Sequence, residues 1–332
     1  MSKSGTARRV LGGLAAATLL AVPAVAASCA AGSGLAAQAK GCHPAWKCPS
    51  PSPSPTVTSP SPSPTASPSP TATAGPVVVI LMENTEYSSV YGSSQAPYIN
   101  GTLIPGGTLF TNYYAVSHPS LPNYLALTVG DTCGKDGTDS VAPLCAEPSL
   151  WGQLAAAGIP AGEWAENESA DCSYASDSTG LYAERHDSYA VAADAEALAA
   201  CGDHTTGTGT ASPGLGPLVT ALGAATPPAY SFVTPNLCDD MHNCSIAAGD
   251  SWLAANVPAL LAAGAVVVVT FDEGTTSTNG GGHVLTVEDG PGVAAGAQDG
   301  TFYTHYSLLA GAEDRFGLPR LSNAASAAPL PF

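Results

Sequence analysis

The sequence predicts an α/β domain, a three-layer arrangement with a largely parallel central sheet, and three observations carry that expectation. Unbroken, β-branched apolar runs of strand length recur along the chain, segments of helical length separate them, and two of the runs end in charged or polar pairs. A strand buried on both faces wants a continuous apolar run rather than alternation, and strands alternating with helices favour parallel pairing.

The first run is Val77-Val78-Val79-Ile80-Leu81-Met82, delivering Glu83-Asn84 at its end. A second strand is expected around Thr108 to Tyr114, then a helix beginning near Ser120 and another over Leu150 to Ala157, stopped by Gly158. Ala229 to Val233 reads as a strand running into Thr234-Pro235-Asn236, and Asp250 to Ala263 as a helix closed by Gly264. The most apolar strand, Ala265 to Phe271, ends in Asp272-Glu273-Gly274. Sheets of this kind place their sites at the carboxyl ends of the strands, which is where both acidic pairs fall.

Composition divides the rest of the 332-residue chain. Arg8 and Arg9, the apolar run Val10 to Val25 and the small-residue pattern Ala24-Val25-Ala26 read as an export signal over residues 1–28. The run is shorter than the roughly 20 apolar residues of a membrane-spanning helix. No later segment is both long enough and uncharged enough to span, which excludes a polytopic membrane protein. The mature protein is expected to be secreted or anchored at the outer face of the cell membrane.

Cys29, in Ala26-Ala27-Ser28-Cys29, resembles the lipidated cysteine of a lipoprotein box, with Ala26 where Leu or Val is usual, and would supply a membrane tether. Setting Cys29 aside leaves eight of the nine cysteines, an even number suited to an oxidising compartment, although chance gives the same count. Neighbour pairing of Cys42 with Cys48, Cys133 with Cys145, Cys172 with Cys201 and Cys238 with Cys244 is the simplest of the connectivities that sequence leaves open. After a short segment, 29–48, residues 49–75 are almost purely Pro, Ser, Thr and Ala. Such a composition buries no core and acts as an extended stalk or an ordinary linker. Residues 76–320 are expected to form one catalytic-sized domain and 321–332 a tail.

All 26 acidic residues lie from Glu83 to Asp314, the only basic partners in the domain are Lys135, Arg185, Arg315 and Arg320, and the chain carries a formal charge of −17. Phosphate backbones are held by dense Lys and Arg, so nucleic acid is disfavoured and a small substrate is expected. Carboxylates beside an apolar core need a partner charge, which so few basic residues hardly provide; a bound cation answers this, and capping of loops or helix ends is the alternative. Cys238-Asp239-Asp240-Met241-His242-Asn243-Cys244 places an Asp and a His two residues apart on a loop, able to face one ion or to form a solvated turn. In His118-Pro119-Ser120-Leu121-Pro122-Asn123-Tyr124, a Ser at a helix start lies near unpaired N–H groups, suited to a developing alkoxide or, equally, to a plain helix cap.

The ordered set Glu83-Asn84, Ser120-Leu121-Pro122-Asn123, Asp240 with His242, and Asp272-Glu273-Gly274 resembles the phosphoesterase family of bacterial acid phosphatases and phospholipases C, within the alkaline-phosphatase-like superfamily. The resemblance implies that fold and a nucleophile at Ser120. It further implies metal ligands at Glu83, Asn84, Ser120, Asp240, Asp272 and Glu273, and His283, in Gly280-Gly281-Gly282-His283, lining the site. His118, His242 and His283 are the expected acid-base or phosphate-contacting residues, and Asn123 and Arg185 the expected substrate contacts. His305 begins a predicted helix. The segment from Gly134 to Pro228 matches nothing in the family pattern.

The implied chemistry is in-line attack of Ser120 on phosphorus with a divalent ion neutralising charge, followed by hydrolysis of the phosphoseryl intermediate. An oxygen-rich ligand set favours calcium, magnesium or manganese, and histidine participation admits zinc or iron. An acid phosphatase-type phosphomonoesterase is the favoured reading, because the small-residue-rich middle segment offers no lipid-binding surface. A phosphodiesterase or phospholipase C, a metal-free serine esterase lacking the Gly-x-Ser-x-Gly elbow, and a non-catalytic envelope binding module are the alternatives.

Overall fold

The computed structural model describes residues 75–168, 180–192 and 214–332. The export signal, Cys29, the stalk and the pairs Cys42 with Cys48 and Cys172 with Cys201 lie outside the described residues. The other two expected disulfides, Cys133–Cys145 and Cys238–Cys244, are formed. Among the described residues no helix is long and apolar enough to cross a membrane.

Seven strands make the central sheet. They are β1 (Val77–Met82), β2 (Thr108–Phe110), β4 (Ala161–Ala165), β5 (Tyr230–Thr234), β6 (Val266–Phe271), β7 (Thr286–Asp289) and β8 (Ala297–Asp299), in the order β4-β5-β1-β6-β7-β2-β8. The pairs β4–β5, β5–β1, β1–β6 and β2–β8 are parallel, and β7 runs antiparallel to both β6 and β2. A small second sheet pairs β3 (Tyr113–Tyr114) with β9 (Tyr303–Thr304). The single strand expected over Thr108 to Tyr114 is thus two, because its halves join different sheets. Every residue of β1 and β6 is buried, as two continuous apolar runs at the sheet centre require.

The helix Ser120–Thr128 follows β3. The helix Leu150–Ala156 precedes β4. The helix Ile246–Ala262 starts four residues before the expected Asp250, because the Ser245 side chain caps its first turn by accepting from the N–H of Ala248. Asp250 instead lies inside the helix, where its carboxylate accepts from the N–H groups of Tyr98 and Ile99 at 3.0 and 2.9 Å. Residues 321–332, expected as a tail, are part of the domain: Ala324 and Leu330 are buried, and the N–H of Leu330 donates to the Ser307 carbonyl on the helix His305–Phe316.

Register places the site. Val77 pairs with Val266 and Met82 with Phe271, so β1 and β6 finish side by side and Glu83 and Asp272 leave the sheet as neighbours. β5 flanks β1 on the other side, and the loop after it returns so that the Asp240 carbonyl accepts from the N–H of Glu83 at 2.8 Å.

Burial raises carboxyls away from this edge too. Glu288 on β7 is pushed up to about 8, the Arg315 charge opposing the shift. A raised carboxyl is neutral in the fold and ionises on unfolding, so its stabilisation is complete below the ordinary 4.5 and is lost as pH rises toward about 8. The metal-free protein is therefore expected to melt lower at pH 8 than at pH 5. Glu288→Gln should flatten that slope, seen as a smaller difference in Tm between the two pH values; an unchanged slope would place the titration elsewhere.

Candidate active site

Glu83 is the hub. It is fully buried, its Oε1 accepts from the Tyr124 hydroxyl at 2.7 Å, and its Oε2 accepts from Ser120 Oγ at 3.1 Å and from Asn84 Nδ2 at 3.3 Å. Asn84 has a left-handed backbone, φ +42°, which turns the chain sharply out of β1 and lets its N–H donate to Asp272 Oδ1 at 2.9 Å. Two carboxylates and the candidate nucleophile are thereby held together by the ends of two adjacent strands and one helix start.

The loop before Ser120 is fixed from two sides. The buried Asn123 amide accepts from the N–H groups of Val116 and Ser117 and donates to the carbonyls of Ser117 and Pro119. Its hydrogen-bonding capacity is used on this loop, so Asn123 shapes the entry to the helix and is not turned toward a substrate. On the other side, Gly280 has φ +111°, and a Cβ there would lie 2.2 Å from the Val116 carbonyl oxygen. Only glycine permits that approach, which accounts for the run preceding His283.

Asp240, on the loop closed by the Cys238–Cys244 disulfide, is fully buried; its Oδ1 accepts from the N–H of His242 at 2.7 Å, and its Oδ2 has no hydrogen-bond partner. Asp272 Oδ2 is likewise buried and without one. The third member is His186, absent from the expected set. Its ring lies flat against Tyr124, centroids 5.1 Å apart and planes within 1°, with Nε2 3.5 Å from Glu83 Oε1 and neither nitrogen hydrogen-bonded. Burial, with the Arg185 and His242 charges, holds this imidazole well below its ordinary range, leaving it neutral.

One donor atom each from Glu83, His186 and Asp240 lies within 4.8 Å of the others, a candidate metal centre. The carboxyls around it are pushed upward: Glu83 well above its usual range by burial and then by Asp272 and Asp240, Asp240 well above by burial, and Asp272 to about 6 by burial. Buried carboxyls crowded this closely, two with an orphaned oxygen, beside a neutral imidazole with both nitrogens open, fit a divalent cation.

The remaining expected residues lie around this centre. Glu273, pushed up to about 7 by burial and the Asp272 charge, pairs with His118 Nδ1, and His118 Nε2 faces the Thr276 carbonyl at 3.0 Å. Both ring nitrogens of His118 are thus engaged rather than free for a phosphate. His242 is half-buried on the disulfide loop, its ring centroid 5.9 Å from that of His186. His283 stacks between Tyr87 and Tyr114, at 4.2 and 4.9 Å, with Nε2 facing the Thr111 carbonyl; these contacts give it no acid-base position beside Ser120, because its ring is taken up by the aromatic stack. His305 is buried behind Asp272, its Nε2 against the Asp272 carbonyl and its Nδ1 3.1 Å from the Tyr113 hydroxyl, and burial lowers it to about 4. Arg185 pairs with Asp139.

His186 is held by a buried acid cluster. Glu163 on β4 accepts from the N–H groups of Ser188 and Tyr189 at 2.9 Å and from Ser188 Oγ at 3.0 Å, Asp187 accepts from the N–H of Ala190 and the Tyr182 hydroxyl at 2.7 Å, and the Thr234 hydroxyl donates to the His186 carbonyl at 3.1 Å. Burial and the Asp187 charge keep Glu163 neutral. Glu163→Ala is expected to cost about 3 kcal/mol by stranding these donors, read as a lower midpoint in urea, with Glu163→Gln falling between it and wild type. A neutral alanine variant would show that the cluster does not hold this segment.

The family model for the phosphoesterase family matches residues 89–319. A phosphatidylinositol-3-phosphatase of Mycobacterium tuberculosis is 32% identical over 260 residues, covering 76% of this chain and 81% of the relative. An acid phosphatase of Aspergillus fumigatus is 28% identical over 263 residues, and the match spans 73% of this chain but 55% of the longer fungal protein. Among solved structures, the lipoteichoic acid synthase LtaP of Listeria monocytogenes superposes with a TM-score of 0.53 at 10% identity over 77% of each chain. A Vibrio parahaemolyticus protein of the alkaline phosphatase superfamily gives 0.50 at 12% identity, over 75% of this chain and 69% of that one. The fold is therefore that of the alkaline phosphatase superfamily, and the chain belongs to the phosphoesterase family, hydrolases of phosphate esters.

Proposed function

We propose that this protein is an extracellular, divalent-metal-dependent phosphomonoesterase of acid phosphatase type, acting through a phosphoserine formed on Ser120. The observation that carries the reading is the Ser120 hydroxyl donating to Glu83, a buried carboxyl that converges with Asp240 and His186. Glu83, Asp240 and His186 would hold the ion, with Asp272 and Ser120 beside it. When bound, the cation supplies charge neutralisation and makes the Ser120 hydroxyl more acidic.

The chain's own residues do the rest. Glu83 Oε2 takes the Ser120 proton along the existing hydrogen bond as Oγ attacks phosphorus in line. The N-terminus of the nine-residue helix favours the developing anion. The phosphorus–oxygen bond to the alcohol breaks, and the leaving oxygen takes a proton, a role assigned to His242, whose ring centroid lies 5.9 Å from that of His186. Water then attacks the phosphoserine, giving its proton to the imidazole that protonated the alcohol, while Ser120 Oγ takes back the proton held by Glu83 and phosphate is released. Relatives named as phosphatases support a monoester, and two disulfides together with the expected export signal support an oxidising, extracellular setting; a tether at Cys29 rests on the lipoprotein-box resemblance alone.

Hydrolysis of p-nitrophenyl phosphate and its bis-ester, before and after exhaustive chelation, tests this directly. Monoester turnover should vanish on chelation, return with metal, and fall roughly a thousandfold or more in Ser120→Ala; turnover indifferent to chelator would end the metal mechanism. His186→Ala should weaken the activating metal by more than the roughly 10–100-fold typical of losing an outer-shell partner, read as a rightward shift of the metal titration.

A further inference from the structure

A cavity of about 430 Å³ is lined by Asp139, Val141, Tyr182, Glu184, Arg185 and Leu237 among others. That is within the roughly 300–1,000 Å³ of small-molecule sites. Asp139 ties it to the reaction centre, because its Oδ1 accepts from the N–H of Leu121, the residue after Ser120, at 3.1 Å. Arg185 ties it to the other wall as the residue before His186, and Leu237 stands three residues before Asp240. The fields agree with that placement: Arg185 acts on Asp240 and His186, and Asp139 on Glu273. The cavity's walls are thus joined directly to the start of the Ser120 helix and to the segments that carry His186 and Asp240.

The lining says what kind of alcohol. Arg185 Nε lies 3.3 Å from Asp139 Oδ2, with both side chains partly open to solvent. The guanidinium keeps further donors available, and the carboxylates of Asp139 and Glu184 offer acceptors. A hydroxyl both donates and accepts, so adjacent hydroxyls can engage the two charges together. A second phosphate or carboxylate would meet two carboxylates against one guanidinium. A bare aryl group would cover the charged pair without replacing the water it loses.

Resting on the assignment of Ser120 as nucleophile, we infer that this cavity is the leaving-group subsite and that Asp139 and Arg185 select hydroxylated alcohols, the polyol part of a glycerol, sugar or cyclitol phosphate. The test compares kcat/KM for glycerol 1-phosphate, myo-inositol 1-phosphate and phenyl phosphate in the metal-loaded wild type, Arg185→Met and Asp139→Asn. Asn keeps an oxygen for the Leu121 N–H while removing the charge.

The polyol-to-aryl ratio of kcat/KM should fall at least about tenfold in each variant, mostly through KM, since a site built for hydroxyls penalises ligands lacking them only while its polar groups are in place. An equal loss on all substrates would overturn the subsite. A soluble short-chain phosphatidylinositol monophosphate separates the sources: dependence on Arg185 for either this headgroup or the free polyol phosphates supports the inference, and dependence for neither overturns it.

If no ester is turned over, the phosphoesterase mechanism fails, and the subsite is judged by calorimetry on metal-loaded Ser120→Ala. Tighter binding of myo-inositol 1-phosphate than phenyl phosphate, lost on adding Arg185→Met, supports it; equal binding of the two sinks it.

Discussion

The structure depends on keeping several carboxyls out of water at one edge of a sheet with little positive charge beside them. Glu83, Asp240 and Asp272 are all fully buried. Lys135 is spent on the carbonyls of Ser140 and Val141, Arg320 on Asp314, and Arg185 on Asp139. A buried carboxylate without a counter-charge gives up its ionisation or finds a cation. The upward pull on these groups is the first answer, and the convergence of Glu83, Asp240 and His186 prepares the second. Burial thus stores free energy that binding a divalent ion would recover, which couples metal affinity to the fold itself.

The rest of the domain serves that edge. Parallel pairing of β1 with β5 and β6 sends three chain ends to the same place, a geometry an antiparallel meander would split between two edges. The Asn123 amide and the glycine run at 280–282 hold the loop before Ser120 through contacts to its backbone, so Ser120 is placed by elements outside the acidic cluster. A second buried pair, Glu163 with Asp187, holds His186 in the same manner.

Much of this was legible. Continuous apolar runs announced β1 and β6, because a strand buried on both faces has no polar face to show. Their terminal pairs followed from the rule that α/β sites sit at carboxyl strand ends. The short strands β4, β7 and β8 were not foreseen: Ala161–Ala165 carries a buried Glu in mid-strand, and Ala297–Asp299 is a three-residue edge with no apolar signal. His186 was missed for a related reason. It stands in Glu184-Arg185-His186-Asp187, a polar stretch that reads as solvated loop, and only the cluster around Glu163 turns it inward.

The sequence by itself determined which segments must be buried strands, which side chains those strands deliver, and how little positive charge accompanies them, since these follow from hydrophobicity and charge along a line. Tertiary structure alone decided which of the delivered groups meet. It brought His186 to Glu83 across 103 positions (186 − 83) and turned His283 into an aromatic stack. It also committed Asn123 to the backbone and set Asp139, paired with Arg185, against the start of the Ser120 helix. The reason is physical: a side chain's partners are fixed by sheet register and loop packing, which depend on contacts between distant segments that no local pattern encodes.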